Sequence, residues 1–120
     1  MSLKIYVYEK CGTCKKALKF LDAAKITFQS IPIREKPPTQ KELRFMLDQY
    51  EGDLKKLFNT SGKDYRELGI KDQLSSMSKK EAIELLSQNG NLIKRPFALT
   101  EDKGLVGFHE ATWNSVFSSK

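Results

Sequence analysis

Leu3, Ile5 and Val7 alternate with Lys4, Tyr6 and Tyr8, a period of two that predicts a strand with a buried face. The period then changes. Ala17, Leu18, Leu21 and Ala24 fall on one side of a helix. Residues 28–33 predict a second strand, so the first third of the chain reads as a parallel βαβ unit. Arg34 to Pro38 is a loop, because paired prolines stop regular structure. Thr39 and Glu42 have capping-box spacing before a helix face of Leu43, Met46, Leu47 and Tyr50, and Gly52 ends it. Leu54 to Phe58 predicts a short helical turn, residues 59–62 a polar break, and residues 65–68 and 70–74 short helical segments. Ser78 and Glu81 cap another helix carrying Ala82, Leu85 and Leu86, which Asn89-Gly90 closes. Leu92 and Ile93 lead into a strand over residues 94–99. Asp102-Lys103-Gly104 predicts a hairpin turn into a partner strand over residues 105–108. A last helix from Glu110 to Phe117 is expected to bury Trp113, Val116 and Phe117.

That order is βαβ, a helical block, then ββα. It predicts an α/β protein of thioredoxin-like fold with a helical insertion between the two halves. The 120 residues fit one domain, with the core at about residues 1–36 and 91–120 and a helical subdomain at about 39–90. No repeat, low-complexity tract or linker interrupts it.

Composition narrows the function classes. With 39% hydrophobic residues the chain can bury an ordinary core, and no apolar run approaches the ~20 residues of a membrane span. No signal-peptide layout precedes the first strand, so a cytoplasmic protein without membrane attachment is expected. The net charge of +6 allows an acidic partner or anionic substrate. The basic residues are interleaved with acids, and no basic block marks direct DNA binding.

The candidate chemistry lies where the first strand turns into the first helix, at Cys11-Gly12-Thr13-Cys14-Lys15-Lys16. A Cys-x-x-Cys pair can be half a zinc site, a redox pair or two unrelated thiols. A four-ligand zinc site within the chain is excluded, since there are two cysteines and one histidine, His109. No metal or nucleotide is expected. A helix N-terminus carries unpaired N–H groups and partial positive charge, which favour a thiolate. Cys11 is therefore read as the nucleophile and Cys14 as the resolving thiol, with Gly12, Thr13 and Lys15 lining the site.

Arg95-Pro96 forms a second constellation. In a thioredoxin-like layout a cis proline here would lie against the cysteine loop, and Arg95 would face Cys11 or an oxyanion held there. The alternative is a surface arginine beside an edge-strand proline. Elsewhere the plain reading comes first. His109 starts a helix, and Tyr6, Tyr8, Tyr50 and Tyr65 are packing residues. Asn59, Thr60 and Ser61 cap a turn or line the site. Arg66 pairs with a neighbouring carboxylate.

Together, Tyr8 to Ala17, Leu57-Phe58-Asn59-Thr60, Tyr65-Arg66-Glu67-Leu68 and Ile93-Lys94-Arg95-Pro96 resemble the arsenate reductase ArsC / Spx family of bacteria. The resemblance covers essentially the whole chain. It implies a thioredoxin-like fold, Cys11 as the nucleophile and Arg95 as one oxyanion-binding arginine. It also implies a thiol electron donor, glutathione with glutaredoxin or thioredoxin. Reductases of the arsenate branch carry one loop cysteine and three arginines. Here Cys14 is added, and Asn59 and Gly107 stand at or near the positions of the other two arginines. The Spx branch has the Cys-x-x-Cys form as a redox switch and binds the C-terminal domain of the RNA polymerase α subunit. A glycine matters for that contact, and Gly52 falls at about its place. An ArsC-like reductase is the leading expectation and an Spx-like regulator the alternative.

Overall fold

The structure is a computed structural model that describes residues 3–117. Strand β1 (Leu3–Val7) is central in a four-stranded sheet. It pairs in parallel with β2 (Phe28–Pro32), from Leu3 opposite Phe28 to Val7 opposite Pro32, with helix α1 (Gly12–Ala23) between them in sequence. On its other side it pairs antiparallel with β3 (Phe97–Leu99), which carries β4 (Gly104–Val106) as a hairpin. The spatial order is β2-β1-β3-β4, the thioredoxin-like βαβ plus ββα arrangement.

Being central, β1 buries both faces. Leu3 and Ile5 join Ala17, Leu21, Ala98, Leu105 and Trp113 on one side. Tyr6 faces the opposite way, into a larger cluster with Ile31, Ile33, Phe97, Leu99 and Val106. The helical insertion supplies most of that second cluster. It runs α2 (Gln40–Gln49), a 3-10 turn (Leu54–Leu57), α3 (Lys63–Glu67), α4 (Ile70–Gln73), α5 (Lys79–Gln88) and a final 3-10 turn (Gly90–Leu92). Both capping boxes form: Thr39 with Glu42 and Ser78 with Glu81 exchange side-chain and backbone bonds at 2.9–3.1 Å. They fix where α2 and α5 begin. At Gly90 the insertion meets the end of β2 backbone to backbone. A Cβ there would sit 2.0 Å from the Ile33 carbonyl oxygen, so only glycine fits.

Several boundaries differ from expectation. The strand predicted over residues 94–99 begins at Phe97, because Pro96 has no N–H to give and the Lys94 N–H is taken by the Leu57 carbonyl at 2.9 Å. The turn before β4 spans Thr100 to Lys103, where Thr100 Oγ1 accepts the Lys103 N–H at 2.9 Å. Gly104 is already strand, and β4 ends before Gly107, whose φ is +72°. Of the last helix, α6 (Glu110–Phe117), Trp113 is buried while Val116 and Phe117 are half-covered. The carboxylate pairing expected of Arg66 is made instead by Lys63, to Glu67 at 3.8 Å.

Candidate functional site

The β1–α1 junction holds both cysteines. The Tyr8 carbonyl accepts the Cys11 N–H at 3.0 Å, which turns the chain out of the strand. Cys11 then occupies the N-cap of α1 with extended backbone. Its Sγ accepts the Cys14 N–H at 3.3 Å, the bond that a serine or aspartate makes at an ordinary N-cap. The Lys15 N–H continues to the Cys11 carbonyl at 3.1 Å. Cys11 is half-buried, Cys14 is buried at 1% exposure, and Gly12, Thr13 and Lys15 are exposed. Both thiols are free.

The two sulfurs have opposite acidities. Partial burial works against ionisation of Cys11. It is outweighed by hydrogen bonds from the Cys14 thiol and backbone N–H, by the charge of Arg95 and by the Thr13 N–H, so its pKa lies below the ordinary thiol range. Burial, with the hydrogen bond and charge of Cys11, pushes Cys14 up to about 12 despite the Tyr8 backbone and Arg95. One thiol ionises readily; the other is held protonated and within reach of it. That pair can attack a sulfur electrophile and then close on itself.

Arg95 is half-buried, and the Arg95–Pro96 peptide is cis. Pro96 is buried, and its carbonyl accepts the Gly107 N–H at 2.9 Å. The Arg95 guanidinium lies 5.0 Å from the centroid of the Tyr8 ring, the residue whose carbonyl accepts the Cys11 N–H and whose backbone bonds the Cys14 thiol. Arg95 therefore belongs to the cysteine loop, not to a remote surface. Asn59 bonds through its backbone to Leu92 and Gly62, in the bridge that pairs residue 58 with residue 93. That places it beside the segment leading to Arg95. At Gly107, the other position lacking an arginine, a Cβ would lie 2.9 Å from the Lys94 Cε, so the lysine stem fills that space. Gly52 belongs to the insertion. It follows α2 with φ +82°, gives its N–H to the Leu47 carbonyl at 2.9 Å and borders a recess of about 370 Å³ with Leu54, Tyr65 and Leu74. Among the described residues no group of three or more His, Cys, Asp or Glu could hold a metal.

Two residues at the site carry no signal of that role in the sequence. The pattern around Tyr8 reads as packing, yet its ring carries two guanidiniums. Arg34 lies 4.8 Å from the ring centroid, and its Nη1 donates to the Tyr8 hydroxyl at 2.8 Å. The link is made by parallel pairing, in which the Ile33 N–H bonds to the Val7 carbonyl at 2.9 Å and carries residue 34 to the side of residue 8. No local motif encodes that.

The sheet order and the N-cap dithiol define the class: a thioredoxin-like thiol redox protein with a helical insertion. The sequence signature of the ArsC family matches residues 6–116, and the chain belongs to that family. It is 48% identical to the uncharacterized protein YusI of Bacillus subtilis, over 92% of this chain and 93% of the relative. It is 28% identical to the global transcriptional regulator Spx of Streptococcus pneumoniae, over 90% of this chain and 80% of that one. A crystal structure of a protein described as related to the ArsC family, from Bacteroides fragilis, superposes with a TM-score of 0.90 at 38% identity, covering 97% and 98% of the two chains.

Proposed function

We propose that this protein is a dithiol reductase of disulfide-type substrates, with Cys11 as nucleophile and Cys14 as resolving thiol. The observation that carries this reading is the Cys11 Sγ at the N-cap, accepting the Cys14 N–H at 3.3 Å, with the two thiols shifted in opposite directions. Thiolate attack by Cys11 on a disulfide R–S–S–R forms Cys11–S–S–R and expels RS⁻, which takes a proton. Cys14 then gives up its proton and attacks the Cys11 sulfur, expelling the second RS⁻. Two electrons leave the protein, and a Cys11–Cys14 disulfide remains. A reducing thiol, from glutathione with glutaredoxin or from thioredoxin, would regenerate the pair. No cofactor is needed. Among the described residues no helix is long and apolar enough to cross a membrane, and the cytoplasm is the compartment that would keep the thiols reduced.

The test is mass spectrometry after exposure to a small disulfide. The native protein should lose two hydrogens without forming a dimer, and Cys14→Ala should accumulate one adduct on Cys11. A native product that is mainly intermolecular would overturn the assignment of Cys14.

A second reading rests on Spx among the relatives and on Gly52 bordering a recess in the insertion. In it, the Cys11–Cys14 disulfide switches docking of the protein on the C-terminal domain of the RNA polymerase α subunit. A pull-down with that domain, on reduced and oxidised protein, separates the readings: capture that depends on redox state supports the regulator.

A further inference from the structure

We propose that Arg34, Tyr8 and Arg95 form a carboxylate-selecting cradle beside Cys11, so that the pair reacts fastest with disulfides carrying a carboxylate near the reacting sulfur. The proposal rests on the dithiol reading above and adds the class of substrate it prefers.

Three observations converge. Tyr8 is tied to the cysteine loop by its backbone, which accepts the Cys11 main-chain N–H and bonds the Cys14 thiol, while its ring holds Arg34 at 4.8 Å and Arg95 at 5.0 Å. One ring thus gathers a half-buried and an exposed guanidinium on the residue that turns the chain into the cysteine loop. Second, neither guanidinium has an ion-pair partner: among the described residues the pairs are Lys4–Glu42 and Lys63–Glu67. Arg34 also borders a polar cleft with Glu35 and Asp64, but neither carboxylate reaches ion-pair distance. An aromatic face attracts a cation through its quadrupole but carries no net charge, so the ring itself neutralises neither guanidinium. Third, the charge balance changes during the reaction. Arg95 favours the Cys11 thiolate. Once Cys11–S–S–R forms, that negative charge has left with RS⁻ and Arg95 loses its anion. A carboxylate on the bound half replaces it, and Arg34 offers a planar fork to the same group at the rim. The atoms and electrons are those of the exchange above, with the anionic disulfide as oxidant.

The experiment follows oxidation of the reduced protein by three disulfides: dithiodipropionate (anionic), hydroxyethyl disulfide (neutral) and cystamine (cationic). Each rate is divided by that of free mercaptoethanol with the same disulfide, which removes intrinsic reactivity. The expected order is anionic, neutral, cationic. In Arg34→Gln the anionic-to-neutral ratio should fall ~3–5-fold, the size of a partly exposed charge contact. Arg34→Lys, which keeps the charge, should retain most of the ratio, and added salt should shrink it in the native protein. A ratio unmoved in Arg34→Gln, or a native preference for cystamine, would overturn the cradle. Failure of the native protein to react with the neutral disulfide would instead defeat the dithiol reading itself, and the cradle with it.

Discussion

Cys11 and Cys14 are the same side chain one helical turn apart, and position makes them unequal. The N-cap sulfur receives N–H groups and the charge of Arg95, whereas the sulfur one turn deeper is buried and its burial outweighs the groups that favour its thiolate. Removing the cation should therefore move Cys11 upward: Arg95→Gln takes away an opposite charge that favours the thiolate. Below the ordinary thiol range, alkylation of Cys11 should slow by ~3-fold or more, a pairing energy typical of partly exposed charges. Iodoacetamide rates against pH, on a Cys14→Ala background so that one thiol reports, check this. An unchanged profile would remove Arg95 from the site. The tandem of Cys-x-x-Cys and a strand-to-helix switch was enough to place Cys11 at the start of α1. The contact of Tyr8 with Arg34 was not legible, because residues 8 and 34 meet only through strand pairing.

At the scale of elements, the sheet and the insertion are tied by a polar knot at the start of α2. Glu42 accepts from Lys4 at 2.7 Å and from the buried Tyr6 hydroxyl at 2.6 Å, besides closing its capping box. Burial opposes ionisation of Glu42, but the bonds from Lys4, Tyr6 and Thr39 prevail and hold its carboxyl below the usual range. Burial, with help from Glu42, raises the Tyr6 phenol. Glu42→Gln should cost ~1–3 kcal/mol near pH 7, as expected for bonds to a charged acceptor. The sign of its pH dependence follows from the depressed pKa. The stabilisation is complete above the ordinary carboxylate range and is lost as pH falls through the folded-state pKa, so native and variant stabilities should converge in acid. Urea titrations at neutral and acid pH measure this; a gap that widens toward low pH would contradict it. The capping boxes themselves were legible, since Ser or Thr followed by Glu at the third position is a local code. That Glu42 would also reach across to β1 was not, because thirty-six residues separate it from Tyr6.

At the scale of the whole molecule, membership of the ArsC family raises the question of arsenate. Arsenate, with one to two negative charges near neutral pH, would have to be held beside a thiolate, and charge-assisted bonds from convergent arginines each supply ~1.5–3 kcal/mol. Arg95 is in place, but Asn59 is tied into the turn before Gly62, and the Gly107 position is covered by the Lys94 stem. A lysine does not reproduce a bidentate fork. Losing two such bonds corresponds to ~10²–10⁴ in affinity. Arsenate turnover, followed as NADPH consumption with glutathione/glutaredoxin or with thioredoxin, should be weak or absent while disulfide exchange persists. Saturable turnover at micromolar arsenate would prove this wrong.

What the sequence determined by itself is what local chemistry encodes: the two periodicities, the capping boxes, the glycine and proline stops, and a Cys-x-x-Cys placed where a strand becomes a helix. From these the βαβ, helical block and ββα order followed, and the N-cap thiol with it. Tertiary structure decided everything that depends on pairing distant segments. It put β1 between β2 and β3, so that both its faces are buried, and it shortened β3 to Phe97–Leu99 by sending the Lys94 N–H to Leu57. It brought Arg34 and Arg95, far apart along the chain, to one tyrosine ring. The physical reason is range: hydrogen bonds within a turn are specified by neighbours in the chain, whereas register and side-chain convergence are set by which faces the whole chain can bury together.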